Sequence, residues 1–359
     1  MWTVHRGEIR TAGVVPRLGT GAGRGAESTL GSWPAGARLM CRALDRSPAS
    51  LLRRKSAWRP AFVQRQCSLP LRNLKTTFSL PFLIIMVLAL ASGSAQAASG
   101  QLDTSFGFKG KVTTRIGAAS NVSGIALQPD GKVLVVGSAL IDGRSDFALA
   151  RYRRNGSLDT SFGRTGRVVT SIGSRDLAFA VAVQRDGKIV VAGASDNGQR
   201  IEIAVARYTA NGSLDSSFGS DGVVTTAPGD AYSAANAITI QSDGKIVVAG
   251  STEWDFALVR YNPDGSLDNT FGMRGTVTTS IGGPRDRATS IAVQRDGKLV
   301  VAGRTGGYEA AWFALARYNR DGSLDTSFGR SGVVTTRVKG YDEAQALVLQ
   351  ADGKVLVAG

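Results

Sequence analysis

The sequence predicts an all-β fold built of repeated four-stranded units, and three observations carry that prediction. The motif Leu-Asp-x-[Ser/Thr]-Phe-Gly begins at Leu102, Leu158, Leu214, Leu267 and Leu324, at spacings of 56, 56, 53 and 57 residues. Two further motifs keep the same order and period: Gln-x-Asp-Gly-Lys from Gln128, Gln184, Gln241, Gln294 and Gln350, and Arg-Tyr at Arg151, Arg207, Arg260 and Arg317. Between them no apolar period of helical length appears, while Val, Ile, Thr and aromatic residues fill short runs. Such strict repetition reads as one supersecondary unit per repeat, each burying its faces against its neighbours.

Each element can be justified in turn from the third unit. Val223-Val-Thr-Thr226, Ala237-Ile-Thr-Ile-Gln241, Lys245-Ile-Val-Val-Ala249 and Asp255-Phe-Ala-Leu-Val-Arg-Tyr261 are its four strand-like segments. Asp243-Gly244 joins the second to the third and predicts a type I′ hairpin, in which both central residues take positive φ. Asp264-Gly265, like Asn155-Gly156 and Asn211-Gly212, marks the exit from the last segment. Four antiparallel strands per repeat describe a β-propeller blade better than a sandwich. In blade terms Ala-Ile-Thr-Ile-Gln is the innermost strand A, Ile-Val-Val-Ala is B, Phe-Ala-Leu-Val-Arg-Tyr is C and Val-Val-Thr-Thr is the outer strand D. The A–B and C–D turns then share one face, and the B–C and D–A loops the other.

Four blades are complete on this count. A fifth has only A (344–350) and B (354–359), and residues 110–115 are a spare D strand. About 4.5 repeats in an incomplete ring, truncated at the C-terminus, are therefore expected.

The chain divides near residue 98. Of the formal +15, +11 falls on residues 1–97, which hold 14 Lys+Arg against 3 Asp+Glu. The repeat region is thus nearly balanced, which removes the usual reason to expect nucleic acid as a partner. Residues 1–70 show neither apolar period nor strand alternation; they are expected to be unstructured and read as a start placed too far upstream. Within 71–97, Arg72 and Lys75 precede an apolar run and a small-residue Ala-x-Ala site, the pattern of a Sec signal peptide cleaved after Ala97. The run is too short for a span and contains Pro81, so no stable membrane anchor is expected once the signal is removed. Residues 98–359 are the repeat domain, placed outside the cytoplasm by this signal.

Cys41, Cys67 and His5 all precede residue 98. The repeats therefore lack thiolate nucleophiles, imidazole bases, disulfides and Cys/His zinc sites. Turn chemistry accounts for Asn262-Pro-Asp264-Gly, and the closing Glu of a calcium loop is missing. No cofactor, metal or catalytic residue is assigned.

A residue repeated in every blade does the same work in every blade. Arg151, Arg207, Arg260 and Arg317, with Asp159, Asp215, Asp268 and Asp325, are read as structural staples in which Arg bonds a carboxylate or turn carbonyls. The Phe of Ser-Phe-Gly is read as packing between blades. Function is sought where the repeat breaks, at the B–C and D–A loops. These supply the candidate ligand face: Trp254, Tyr308, Trp312, Tyr232, Arg285 and Arg287. Two readings of that variation stay open, a binding face and unconstrained drift.

Gly-x-Val-Thr-Thr, Gln-x-Asp-Gly-Lys, [Phe/Ile]-Ala-[Leu/Val]-[Ala/Val]-Arg-Tyr and Gly-Ser-Leu-Asp-x-[Ser/Thr]-Phe-Gly resemble the bacterial delta-60 repeat family, over residues 102–359. That family is similar in general form to NHL-repeat propellers. The resemblance implies a propeller in a surface or extracellular setting and no activity. The expectation is an exported, non-catalytic binding or scaffold module with a protein or glycan ligand. The alternative is a propeller hydrolase or lactonase, which needs acid, base or metal-ligand residues that break the repeat on the inner strands.

Overall fold

The computed structural model describes residues 2–5, 101–307 and 309–359, all within one compact unit. The signal peptide at 71–97 and nearly all of the 1–70 segment lie outside the described residues, as does Tyr308. Twenty strands are present among the described residues, with no helix.

Blade 1 is β3 (Ser120–Leu127), β4 (Val133–Ile141), β5 (Arg144–Tyr152) and β6 (Arg167–Thr170). Blade 2 is β7 (Arg175–Val183), β8 (Ile189–Asp196), β9 (Ile201–Tyr208) and β10 (Val223–Thr226). Blade 3 is β11 (Ser233–Ile240), β12 (Ile246–Thr252), β13 (Phe256–Tyr261) and β14 (Thr276–Thr279). Blade 4 is β15 (Arg287–Val293), β16 (Leu299–Gly306), β17 (Ala311–Tyr318) and β18 (Val333–Thr336). All four are antiparallel meanders in A-B-C-D order. β19 (Ala346–Leu349) and β20 (Val355–Ala358) form a two-stranded fifth unit. The ring is open.

The core lies between blades. The first half of strand B is a run of four apolar residues, such as Ile246-Val-Val-Ala249, because each of its faces meets a different neighbour. Val191 packs with Leu134, Phe147 and Phe162 of blade 1, while adjacent Val190 packs with Ile246, Val248 and Tyr261 of blade 3. The same arrangement joins blades 3 and 4 through Phe256, Phe271, Val301 and Tyr318. Phe106 and Ile116 of the leading segment pack on Val133, Val135 and Tyr152, so the spare D strand sits where a preceding blade would.

Two local features differ from expectation. Asp243 does not take positive φ; only Gly244 does, at +85°. Gly244 N–H donates to Gln241 O, and Gln241 N–H to Lys245 O, enclosing three residues. The turn is therefore a type I turn closed by a left-handed glycine, with Asp243 Oδ1 accepting from Lys245 N–H. Positive φ at both central residues occurs instead at Asp142-Gly143 in a variable loop (49° and 84°).

The second difference is β1 (Trp2–His5), which pairs with β2 (Lys111–Thr114) inside the segment expected to be unstructured. Strand D needs a C strand beside it, and β1 takes that place: Trp2 stands opposite Thr114 as Phe147 stands opposite Thr170.

Candidate functional site

Two faces compete as a site, and the staples separate them. On one face, Arg207 lies buried on strand C, donating from Nε to Asp215 Oδ2 at 2.7 Å and from Nη2 to Ser217 Oγ at 3.1 Å. Its Nη1 donates to the carbonyl of Pro263 in the next blade. Its guanidinium stacks on Phe218, 4.6 Å from the ring centre. Arg151 and Arg260 repeat the pattern onto Asp159 and Asp268, reaching Ala210 O and Arg320 O at 2.5 Å each. Arg317 binds Asp325 at 2.7 Å.

A lysine from each A–B turn adds to these pairs: Lys188 to Asp215 at 3.0 Å, Lys245 to Asp268 and Lys298 to Asp325 at 2.7 Å. The A–B and C–D turns thus share one face. Burial raises the Asp215 carboxyl, but hydrogen bonds from Ser217 and Lys188 and the nearby Arg207 outweigh it and hold the group well below the usual carboxylate range.

The opposite face carries the residues that break the repeat. Trp254, in the B–C loop of blade 3, is 56% exposed, and the Arg285 guanidinium lies over its ring at 5.4 Å. Asp286 N–H donates to Trp254 O at 2.6 Å, tying this loop to the D–A loop that enters blade 4. Glu253 Oε1 accepts from the N–H groups of Ala231 and Tyr232, so exposed Tyr232 is held beside the same loop. The structure therefore brings Tyr232, Trp254 and Arg285 together.

Trp312, the second residue of strand C of blade 4, is 42% exposed and stands near a second group. There Arg287 and Arg304 approach Glu343 Oε1 at 3.9 and 3.5 Å, and Arg304 lies over Tyr341 at 5.4 Å. Arg287 also donates to Asn236 Oδ1 at 3.2 Å.

Sequence reasoning passed over Arg304. Its column in strand B reads Ser138, Ala194, Ser251, Arg304, so one charge among small residues was the available signal. It also passed over Asn236 and Thr289, bulge residues of strand A that reach the next blade at Ala288 O and Ala344 O.

A cavity of about 1120 Å³ lies on the Asp-Gly turn face. Arg185, Arg295 and Arg320 line it with Gln184, Gln241 and Gln294. The Oε1 atoms of those glutamines are buried without a hydrogen-bond partner among the described residues. No group of three or more His, Cys, Asp or Glu able to hold a metal occurs among the described residues. Burial holds the Asp286 carboxyl above its ordinary value, although Ile281 N–H donates to it at 2.6 Å.

Four segments, residues 128–162, 184–218, 241–271 and 294–328, match the family described as "Domain of unknown function (DUF5122) beta-propeller". Each runs from an A–B turn to a Ser/Thr-Phe, one per blade. The chain is a β-propeller repeat protein. Solved structures similar to this propeller include a protein of unknown function from Bacteroides caccae, 13% identical over 64% of this chain and 76% of that one (TM-score 0.36). Another is a virginiamycin B lyase from Staphylococcus aureus, 12% identical over 66% and 84% (0.33). A third is a gluconolactonase from Xanthomonas campestris, 13% identical over 68% and 96% (0.27). Likeness at this level carries nothing about activity. No curated protein matches the chain.

Proposed function

We propose that this propeller is an exported, non-catalytic binding module that meets a protein or glycan partner at its variable loops. The observation that carries this reading is the Trp254 edge. A half-exposed tryptophan is stacked by Arg285 and fixed through its backbone, with Tyr232 alongside, on loops that differ in every blade. Rigid aromatic surface of this kind anchors partners at small entropic cost. Export rests on the Arg72–Ala97 pattern, and the delta-60 resemblance supports the same setting.

Trp254 and Trp312 are the two tryptophans beyond Ala98, so intrinsic fluorescence of the processed chain reports on this face. Titration with a panel of oligosaccharides and purified surface proteins should change that emission for a true ligand, and Trp254→Ala should weaken the interaction without lowering the melting temperature. A ligand that binds Trp254→Ala and Trp312→Ala variants with unchanged affinity would sink this placement.

The cavity on the other face favours a second reading, a propeller hydrolase or lactonase, because its size suits a small substrate. Against it, each carboxylate lining the cavity is exposed and not buried in it. Asp186 and Asp243 are exposed, and Asp321 is held below its ordinary value by the Ser323 hydroxyl and N–H. Turnover of a lactone by the chain, lost on changing cavity residues and not loop residues, would select this reading.

A further inference from the structure

Asn-Gly occurs three times in the chain, at Asn155-Gly156, Asn197-Gly198 and Asn211-Gly212. A glycine after asparagine has no side chain to shield its nitrogen, which can then approach the asparagine amide carbon. The fold treats the three pairs differently. Gly156 and Gly212 are buried in C–D turns, where their N–H groups donate to Arg153 O at 2.8 Å and Thr209 O at 3.0 Å. An amide carbonyl is too weak a base to take a proton from nitrogen. The main chain of both pairs is also fixed from outside. Asn155 O accepts from Gly107 N–H and Asn211 O from Gly163 N–H, each at 2.8 Å, and a Cβ on Gly212 would meet the Phe162 ring.

Asn197-Gly198 stands in the B–C loop of blade 2, between β8 and β9, where residues 197–200 are all exposed. Asn197 Oδ1 accepts from Gln199 N–H at 2.9 Å and from Arg200 N–H at 3.0 Å. Gly198 N–H donates to a carboxylate, Asp196 Oδ1, at 2.8 Å. Asp196 is itself held in place. It pairs with Ile201 at the end of β8, and its carbonyl accepts from Ser174 N–H at 2.7 Å and Ser174 Oγ at 3.0 Å. Among the described residues nothing lies within 4 Å of where a Cβ on Gly198 would be, so the loop has room to close a ring. An electrophilic amide, a nitrogen and a base are therefore lined up over three consecutive residues.

We propose that Asn197 is a self-modification site, at which the folded loop speeds conversion of the asparagine to aspartate and isoaspartate. Gly198 N forms a bond to Asn197 Cγ while its proton passes to the Asp196 carboxylate. The electron pair of the Cγ=Oδ1 bond moves onto Oδ1, where the Gln199 and Arg200 N–H groups stabilise the charge. That pair returns, the Cγ–Nδ2 bond breaks, and Nδ2 leaves as ammonia with the proton that Asp196 took. A cyclic succinimide remains, and water opens it at either carbonyl. The balance is one water consumed and one ammonia released, with no change of oxidation state. The product sets a new carboxylate beside Arg200, whose Nε already pairs with Glu202 at 2.7 Å. The variable face thus acquires a slow, one-way change of charge.

The test follows all three sites in one sample of the full, folded chain, aged at neutral pH and digested for mass spectrometry that resolves isoaspartate. Asn197 is expected to convert at least about tenfold faster than Asn155 and Asn211, which carry the same dipeptide. In the chain unfolded by urea the three rates should converge, because the dipeptide alone then decides them. Asp196→Ser keeps an oxygen acceptor near Gly198 N–H and removes the base. That variant should keep the melting temperature and slow Asn197 about tenfold. Equal rates at the three sites of the folded chain overturn the proposal, and so does a lead of Asn197 that persists in urea. An unchanged rate in Asp196→Ser overturns it as well, since the loop then contributes no base.

Discussion

The Tyr208 hydroxyl donates to Thr170 Oγ1 at 2.8 Å across the boundary between blades 1 and 2, with both residues buried. Burial pushes the phenol well above its ordinary value, so it remains a donor throughout the pH range of the folded protein. Tyr208→Phe keeps the packing and strands the threonine hydroxyl. The expected cost is about 1–2 kcal/mol in urea unfolding. A loss below about 0.5 kcal/mol, within the range of a surface substitution, would show that the bond is incidental.

The staples should differ along the chain in a predictable order. Arg207→Ala leaves the Asp215 carboxylate buried without its arginine partner and frees the Pro263 carbonyl. Removing one member of a buried ion pair costs about 3–5 kcal/mol, and Lys188 at 3.0 Å from Asp215 keeps the loss near the lower end. Arg317→Ala removes a more exposed group that, among the described residues, makes no carbonyl contact to a following blade, so its cost should be clearly smaller. Equal losses for the two variants would remove the inter-blade role assigned to the arginine.

Acid should unfold the blades through the same carboxylates. For Asp215 and Asp268 burial acts upward, but hydrogen bonds from lysine and from Ser217 or Thr270, with the adjacent arginine, hold both below the ordinary value; Asp159 is lowered in the same way. A carboxyl whose folded value is depressed stabilises the fold above its unfolded value of about 3.9, and that stability is lost as pH falls through the folded value. Melting temperature should therefore stay flat from about pH 7 to 5 and drop below about pH 4. In Asp215→Asn that acid limb should be shallower, and an unchanged limb would mean other groups govern it.

Strand order and blade count were legible because Arg-Tyr, Leu-Asp and Gln-x-Asp-Gly-Lys each do one job per blade, so spacing alone orders the strands. The turn at Asp243-Gly244 was misread because Asp-Gly serves two geometries. What separates them is whether two or three residues stand between the last paired positions, here Gln241 and Lys245. That count is a property of register and not of the dipeptide. Exposure of Trp254 followed from loop placement, whereas Trp312 is exposed on strand C itself, and the stacking of Arg285 on Trp254 joins a B–C loop to a D–A loop 31 residues later. Such a contact needs the blade geometry. Arg304 was visible as one charge in a column of small residues and was hidden by attention to loops.

The glycine of the C–D turn should be far less replaceable than a loop glycine of equal φ. Gly212 (φ +91°) has the Phe162 ring 2.8 Å from where a Cβ would lie, whereas Gly198 (φ +87°) has nothing within 4 Å. Both alanine variants carry the left-handed penalty, about 1–2 kcal/mol. Gly212→Ala must also displace a buried ring, adding about 1–3 kcal/mol. Comparing the two by chemical denaturation isolates the contact, and similar losses would show that φ alone matters.

The leader makes a prediction that couples location to structure. If the Arg72–Ala97 segment is an export signal, expression from a start near residues 63–72 yields a mature product beginning at Ala98. Cleavage there also separates Trp2–His5 from the fold, so the partner of Lys111–Thr114 leaves with the signal. β2 then keeps its packing on blade 1 through Phe106 and through the Tyr152–Thr114 bond, but loses its paired edge. Amide exchange over 111–114 should accordingly be faster in a chain starting at Ala98 than in the full chain, with Val133–Ile141 unchanged, because exchange follows local opening of unpaired edges. N-terminal sequencing of the extracytoplasmic fraction settles the first half. An intact 80–97 segment on a cytoplasmic product would refute export. Equal exchange in the two chains would show that the β1–β2 pairing contributes nothing to holding the outer strand.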